Sequence, residues 1–413
     1  MKDRFCLLPF TLLHYRPNGT TATCSQGLKQ LGPTERLDSN TFDEVWNSEF
    51  MREFRMAKLN NEYVENCYSC YFDDAQGYDS KRKWYLDKYY DDYKDVAERA
   101  KENNGYVDTV PWHWEIRISN TCNAQCVMCG PLNSSKIASE IHNNLDNNLL
   151  PVQIKNVYNF YKETYSSSIT HDTFIEHLWN NLESVRLLEI HGGEPWADPA
   201  VVKLLNDISK TSYASQISIK TFSNCTLLTE EKIDVLNKFK GGTFVCSVDA
   251  YGEEAEYVRY PLKWDETKQG MELVLKHLND NWEVRTLTVS HLFNIWNLDT
   301  LFDFLLTYDR LVLIHSTVSR PRYLSPDLLA PNARMEVAKK FKRFKSNSRM
   351  ETIANDIITH IGVSDDVLAE RDSKLFYATF REEQLKKFRG YCSYLDNVRN
   401  FNTLEVFPHL NNL

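Results

Sequence analysis

No run of apolar residues in this 413-residue chain approaches the length of a membrane span. Met1–Lys2–Asp3–Arg4 leads into a cysteine-bearing stretch, not into the apolar core of a secretion signal. An excess of positive charge is also missing. The formal charge is −9, and phosphate binding draws on clustered Lys and Arg, so nucleic acid is not an expected partner. There is no internal repeat and no extended low-complexity tract. The stretch 327–413 has no cysteine pair, so a second metal site has to lie near the N-terminus. These absences leave a protein expected in a reducing, cytoplasmic setting, where clustered cysteines mean metal or redox chemistry. The length suits one large domain and a smaller one, or two to three domains, and 42% hydrophobic residues can build a sizeable core.

What is present is cysteine in clusters. Three of the ten cysteines, Cys122, Cys126 and Cys129, fall within eight residues. They follow a stretch, 112–119 (WHWEIRIS), that reads as a buried strand. Three thiolates on one short loop can hold three irons of a cubane cluster and leave the fourth open to a small molecule. A structural zinc site normally has four closed ligands, so the open cluster fits this spacing better.

Four more cysteines, Cys6, Cys24, Cys67 and Cys70, lie in the first seventy residues. The apolar stretch 5–13, a turn at Arg16–Pro17–Asn18–Gly19 and the β-prone 20–24 read as a hairpin with Cys6 ahead of it and Cys24 at its end. A helix then starts near Thr41, with Phe42, Val45, Trp46, Phe50 and Phe54 on one face. Little else there can form a core, so a bound metal is the expected staple. Four thiolates suit zinc and iron–sulfur alike. The charged, Tyr-rich stretch 76–111 reads as a helical connector.

From 112 onward strand and helix signals alternate. Strands are expected at 115–119, 185–191, 216–222, 243–248, 284–290 and 311–317. Amphipathic helices such as 199–210, 229–239 and 268–278 lie between them. Six β-then-α units predict a parallel sheet with active-site loops after the strand carboxyl ends, in the form of a partial barrel. The stretch 131–182 reads as a helical insertion, and 326–413 as a helical C-terminal extension.

Chemistry-bearing residues recur at the ends of consecutive predicted strands. The cysteine loop follows the first strand. His191–Gly192–Gly193–Glu194–Pro195 follows the second, where paired glycines admit a ligand and Glu194 or backbone carbonyls can accept from an ammonium group. Ser223–Asn224 follows the third. Ser247 and Asp249 end the fourth, with Arg259 shortly after. Carboxylate and amide groups suit ribose hydroxyls, and a guanidinium suits a carboxylate. Each of these is weak alone, and it is their order along one scaffold that carries the reading.

With these motifs the chain resembles the radical S-adenosylmethionine (SAM) superfamily over roughly 112–320. The resemblance implies a (β/α)6 partial TIM barrel. It implies a [4Fe–4S] cluster on Cys122, Cys126 and Cys129 whose open iron chelates SAM, and reductive cleavage of SAM to methionine and a 5′-deoxyadenosyl radical that abstracts hydrogen from a substrate. It places the methionine amino group against Gly192, Gly193, Glu194 and Pro195. Asn224, Ser247 and Asp249 become candidates for the ribose, and Arg259 for the methionine carboxylate. Many members carry an aromatic residue before the third cysteine; here Met128 takes that place and can pack on a purine face.

The first 75 residues resemble a Twitch domain, a short SPASM-like unit, placed ahead of the barrel. That resemblance implies an auxiliary [4Fe–4S] or [2Fe–2S] cluster on Cys6, Cys24, Cys67 and Cys70, and tips the choice from zinc to iron–sulfur. The domain plan is therefore 1–75, a connector 76–111, a barrel 112–325 and an extension 326–413. Cys225, near a strand end, is a candidate hydrogen-atom donor, although a buried inert thiol is the commoner case. His291, Asn294, His315, Arg320 and Arg322 are polar candidates near the barrel mouth. The expected partners are a small-molecule or peptide substrate and a reductant such as flavodoxin or ferredoxin, with no membrane. Competing readings are a glycyl-radical activase of a partner protein and a non-catalytic zinc- or cluster-stabilised binding protein.

Overall fold

In a computed structural model the described residues are 4–26, 32–75, 80–164, 171–318, 320–361 and 374–412. Their strands are β1 (Leu12–Tyr15), β2 (Thr21–Ala22), β3 (His113–Arg117), β4 (Leu187–His191), β5 (Ser218–Ser223), β6 (Gly241–Ser247), β7 (Trp282–Ser290) and β8 (Leu311–Thr317). They form one eight-stranded sheet in the order β2-β1-β3-β4-β5-β6-β7-β8. Every neighbouring pair is parallel except the β1–β2 hairpin. The six expected strands are β3 to β8, displaced by two residues or fewer at each end. Parallel strands need long crossovers, and helices such as Pro199–Ile208, Glu230–Leu236 and Trp264–His277 provide them. Asp198 and Thr229 cap the first two, accepting from Ala200 N and Lys232 N.

The connector is helical over Lys81–Glu102, capped by Ser80, and Tyr68–Ala75 closes the cysteine-rich segment before it. One expectation changes. The N-terminal segment does not stand apart with a poor core of its own. β1 lies parallel to β3, so the hairpin is the edge of the main sheet. Phe5, Phe10, Val45, Trp46 and Met51 join the same apolar core as Trp114 and Ile116, and Phe42 stacks on Trp114 at 5.7 Å. This pairing joins segments about a hundred residues apart, which no local pattern announces. Arg55, fully buried, fastens the segment by donating to the carbonyls of Pro9, Trp46 and Gly105 and to the Asn47 side chain.

The insertion is helical over Ser135–Asn143, Val152–Thr164 and Asp172–Asn180. The C-terminal segment is helical, its longest helix being Lys374–Arg399. No helix among the described residues is long and apolar enough to cross a membrane.

Candidate SAM and iron–sulfur sites

β3 delivers the cysteine loop to the carboxyl end of the sheet, where β4, β5 and β6 deliver theirs. Glu194 N donates to Thr121 O at 2.8 Å, which ties the Gly-Gly-Glu-Pro loop to the cysteine loop. This approach requires glycine: a Cβ on Gly193 would lie 2.4 Å from Thr121 O and 2.7 Å from Cys122 Cβ. Gln125 N and Val127 N donate to the carbonyls of Tyr260 and Val258, just beyond β6. Asn224 Nδ2 donates to Asn123 Oδ1 at 2.8 Å, and Asn123 in turn reaches Thr226 Oγ1 at 2.9 Å. From the C-terminal helix Tyr391 donates to Val127 O at 2.9 Å, while Arg399 pairs with Glu140 at 2.8 Å.

A cavity of about 250 Å³ opens between these loops. Cys122, Cys126, Cys129, Met128, Gly192, Gly193, Glu194, Pro195, Asn224, Ser247, Asp249 and Arg259 all line it, together with His191, Phe222, Leu287 and Val289. The donor set fits an iron–sulfur cluster with a small polar ligand. Ala124 N points at Cys122 Sγ at 3.4 Å, and Arg259 Nη1 lies 3.8 Å from Cys126 Sγ. The neighbouring Cys129 thiol and the Arg259 charge lower the Cys126 thiol, although burial pushes the other way. Arg259 is held by Asp249 at 2.5 Å, and Asp249 also accepts from Val289 N at 2.8 Å. Arg259 Nε is buried without a partner.

The Glu194 carboxylate is also engaged within the protein. Its carboxylate accepts from Asn224 N at 2.7 Å, Ser223 Oγ at 3.0 Å and Trp196 N at 3.3 Å. The side chain therefore joins two loops, while Gly192, Gly193 and Glu194 line the cavity. Burial pushes its pKa up to about 7 in spite of these bonds.

Cys225 does not line the cavity. It is fully buried with φ 68°, its thiol lies 3.7 Å from Ser223 O, and Cys246 is its sulfur neighbour. His291 and Asn294 are also buried, away from any mouth; Asn294 bridges the carbonyls of Asp249 and Val289. His315 bonds Ser290 Oγ at 3.0 Å, Arg322 lies over Phe380, and Arg320 lines a separate 800 Å³ cavity that borders Met128 and Cys129.

The N-terminal thiols also gather. Cys6 and Cys70 are buried, Cys24 and Cys67 partly so. Burial raises Cys6, and the charges of Cys24, Cys67 and Cys70 raise it further. Mutual repulsion among four thiolates in an apolar setting is relieved by a bound cation or cluster.

Sequence reasoning missed the ionic cluster beside His191. In the sheet register His14, Glu115, Glu189 and Lys220 form one cross-strand row on β1, β3, β4 and β5, with His191 two residues beyond Glu189. The signal was there as period-two charge within apolar strands: His113, Glu115 and Arg117, then Glu189 and His191.

Residues 6–71 match the iron–sulfur cluster-binding domain family SPASM, a span that contains all four N-terminal cysteines. The match favours iron–sulfur over zinc there. No curated protein matches the chain. Among solved structures, Streptococcus suis SuiB is similar at 17% identity and a TM-score of 0.38, covering 74% of this chain and 60% of that one. An anSMEcpe structure with bound AdoMet and Cp18Cys peptide gives 17%, 0.34, 60% and 60%. A TYW1 structure with a lysine–pyruvate adduct gives 18%, 0.29, 55% and 70%. The chain thus spans less than two thirds of SuiB and anSMEcpe, and likeness this distant transfers no activity by itself.

Proposed function

We propose that this chain is a radical SAM enzyme with a (β/α)6 partial barrel over 112–325 and an auxiliary iron–sulfur unit over 1–75 ahead of it. The observation that carries the reading is the single cavity in which the three-cysteine loop meets the Gly-Gly-Glu-Pro loop, Asn224, Ser247, Asp249 and Arg259. Cys122, Cys126 and Cys129 hold a [4Fe–4S] cluster. When bound, that cluster supplies the electron that cleaves SAM and so starts hydrogen abstraction from the substrate.

The chain's own residues bind and orient. The backbone of Gly192 to Glu194 accepts the methionine ammonium, because the Glu194 carboxylate is already satisfied. Arg259, stiffened by Asp249, offers its unpaired Nε–H to the methionine carboxylate. Asn224 and Ser247 face the ribose, and Met128 packs on the adenine. Phe222, Leu287 and Val289 give the cavity an apolar wall.

Cys6, Cys24, Cys67 and Cys70 hold the auxiliary cluster. The substrate is a small molecule or a peptide; SuiB, which is recorded bound to a precursor peptide, is one similar fold that takes the latter. A cytoplasmic flavodoxin or ferredoxin serves as reductant. Anaerobic reconstitution tests the reading. About eight irons per chain are expected for two [4Fe–4S] clusters, or six if the auxiliary one is [2Fe–2S]. SAM with a strong reductant should then yield 5′-deoxyadenosine. A fully loaded chain that forms none, even with candidate substrates, would refute the proposal.

A further inference from the structure

Between the two cysteine sites lies a buried ionic network that the binding of SAM does not use. Lys81, at the start of the connector helix Lys81–Glu102, stands at its N-terminal end. Its ammonium donates to Glu115 Oε2 at 2.8 Å and to Ser25 Oγ, beside Cys24, at 2.9 Å. Glu115 faces His14 Nδ1 at 3.3 Å and His191 Nε2 at 3.2 Å. Glu189 takes His191 Nε2 at 3.0 Å, Lys220 at 2.8 Å and His113 Nε2 at 3.3 Å, and Tyr85 bonds the other nitrogen of His113. His191 is partly exposed, stacks on Phe222 at 4.8 Å and lines the SAM cavity. The network therefore runs from the neighbour of Cys24 to the SAM pocket.

Glu115, Glu189 and His191 lie close enough to hold a metal ion. Ammonium groups already sit on both carboxylates, so a metal would have to displace Lys81 and Lys220. The electrostatic balance argues for a different role. Burial pushes both carboxyls up, but the surrounding cations hold them well below the usual range. Burial pulls His191 down, and the same two carboxylates raise it to about 9. The Lys81 and Lys220 ammonium groups and the raised His191 surround these two carboxylates. Positive charge next to the Cys24 site stabilises the reduced, more negative form of a cluster held there, because net charge and nearby hydrogen bonds set cluster potentials.

We infer that Lys81 is a tuning residue for the auxiliary cluster: pinned between Ser25 and Glu115, its charge raises that cluster's reduction potential and makes it an electron acceptor for the SAM pocket. The inference rests on the proposed radical SAM reading, and it commits that reading to a net substrate oxidation. After hydrogen-atom abstraction the substrate gives up one electron, which reduces the auxiliary cluster by one. It also gives up one proton, which passes to water at the open cavity, since His191 already carries its own.

The test is an EPR-monitored potentiometric titration of the reconstituted full chain carrying Cys126→Ala, in which the auxiliary cluster is the one expected to remain. Lys81→Met should shift the reduction equilibrium at least tenfold toward the oxidised form, 59 mV downward for a one-electron couple. Lys81→Arg should restore most of that shift. Glu115→Gln, which removes a negative charge and leaves Lys81 in place, should move the potential upward. A potential in Lys81→Met equal to that of the parent overturns the inference. If Lys81→Met loses its iron, Glu115→Gln decides: an unchanged or lowered potential overturns it. A parent chain with no iron on the N-terminal cysteines would instead sink the functional reading, and this inference with it.

Discussion

Cys122, Cys126 and Cys129 sit on a loop whose backbone is bonded to the Gly-Gly-Glu-Pro loop, to the segment after β6 and to the C-terminal helix. Cys6, Cys24, Cys67 and Cys70 come from three separate stretches; the β1–β2 hairpin joins the first two by backbone, and side chains, including two from the connector helix, add to that tie. Asn66 reaches Thr23 Oγ1 at 3.5 Å, Arg82 reaches Phe5 O at 2.9 Å, and Lys81 reaches Ser25. The first site is shaped by the polypeptide before any cluster arrives. The second gathers its thiols through a helix that is itself an add-on to the sheet. A preshaped site loses chemistry when its cluster is lost, whereas a gathered site loses structure as well.

Four experiments press on that contrast. Cys126→Ala should abolish 5′-deoxyadenosine formation and remove about four irons per chain, with little change in the melting transition. A large loss of stability would show that this loop also depends on its cluster. Cys70→Ala should do the reverse: a clearly earlier melting transition and loss of the auxiliary iron, with part of the SAM cleavage kept.

Gly193→Ala probes the preshaping itself. Its Cβ meets backbone at 2.4 Å, so the two loops must part. The expected cost is about 1–3 kcal/mol of stability, with SAM cleavage down roughly tenfold or more because the cysteines move relative to the SAM contacts. Normal turnover in this variant would mean that the loops tolerate separation.

The smallest effect on turnover is a pH slope in stability. Glu194 has its pKa raised to about 7 by burial, so the folded state holds a proton that the unfolded chain has released. That stabilisation is full below the unfolded carboxyl value and fades as pH rises through about 7. Glu194→Gln should remove this decline, worth about 3 kcal/mol between pH 5 and 8, in denaturant unfolding at fixed ligand state. Parallel slopes in parent and variant would show that Glu194 is ionised throughout.

Much of this was legible in the chain itself. The strands from β3 to β8 declare themselves by short β-branched runs between amphipathic helices. The cysteine loop, Gly192–Gly193–Glu194–Pro195, Asn224 and Asp249 could be placed at strand ends, with Arg259 one short helix later, because a parallel sheet delivers its loops to one side. Three things could not be read. The β1–β3 pairing is a long-range contact without a local signature. The use of the Glu194 carboxylate depends on which donors surround it after folding. The fate of Cys225 turned on side-chain direction at a residue of positive φ, which a strand-end position does not reveal.

The hairpin has one further consequence, for protein quality in the cell. β1 and β2 cover the edge of β3, the strand that carries the three-cysteine loop. β2 is only two residues long and ends just before Cys24. A chain made under iron starvation would hold this hairpin by its pairing with β3, by Arg55 and by apolar packing, without a cluster to staple it. Were it to peel away, β3 would become a bare sheet edge with unpaired backbone groups, a template for another chain to add to. Filling the N-terminal cysteine site would then act as protection against aggregation.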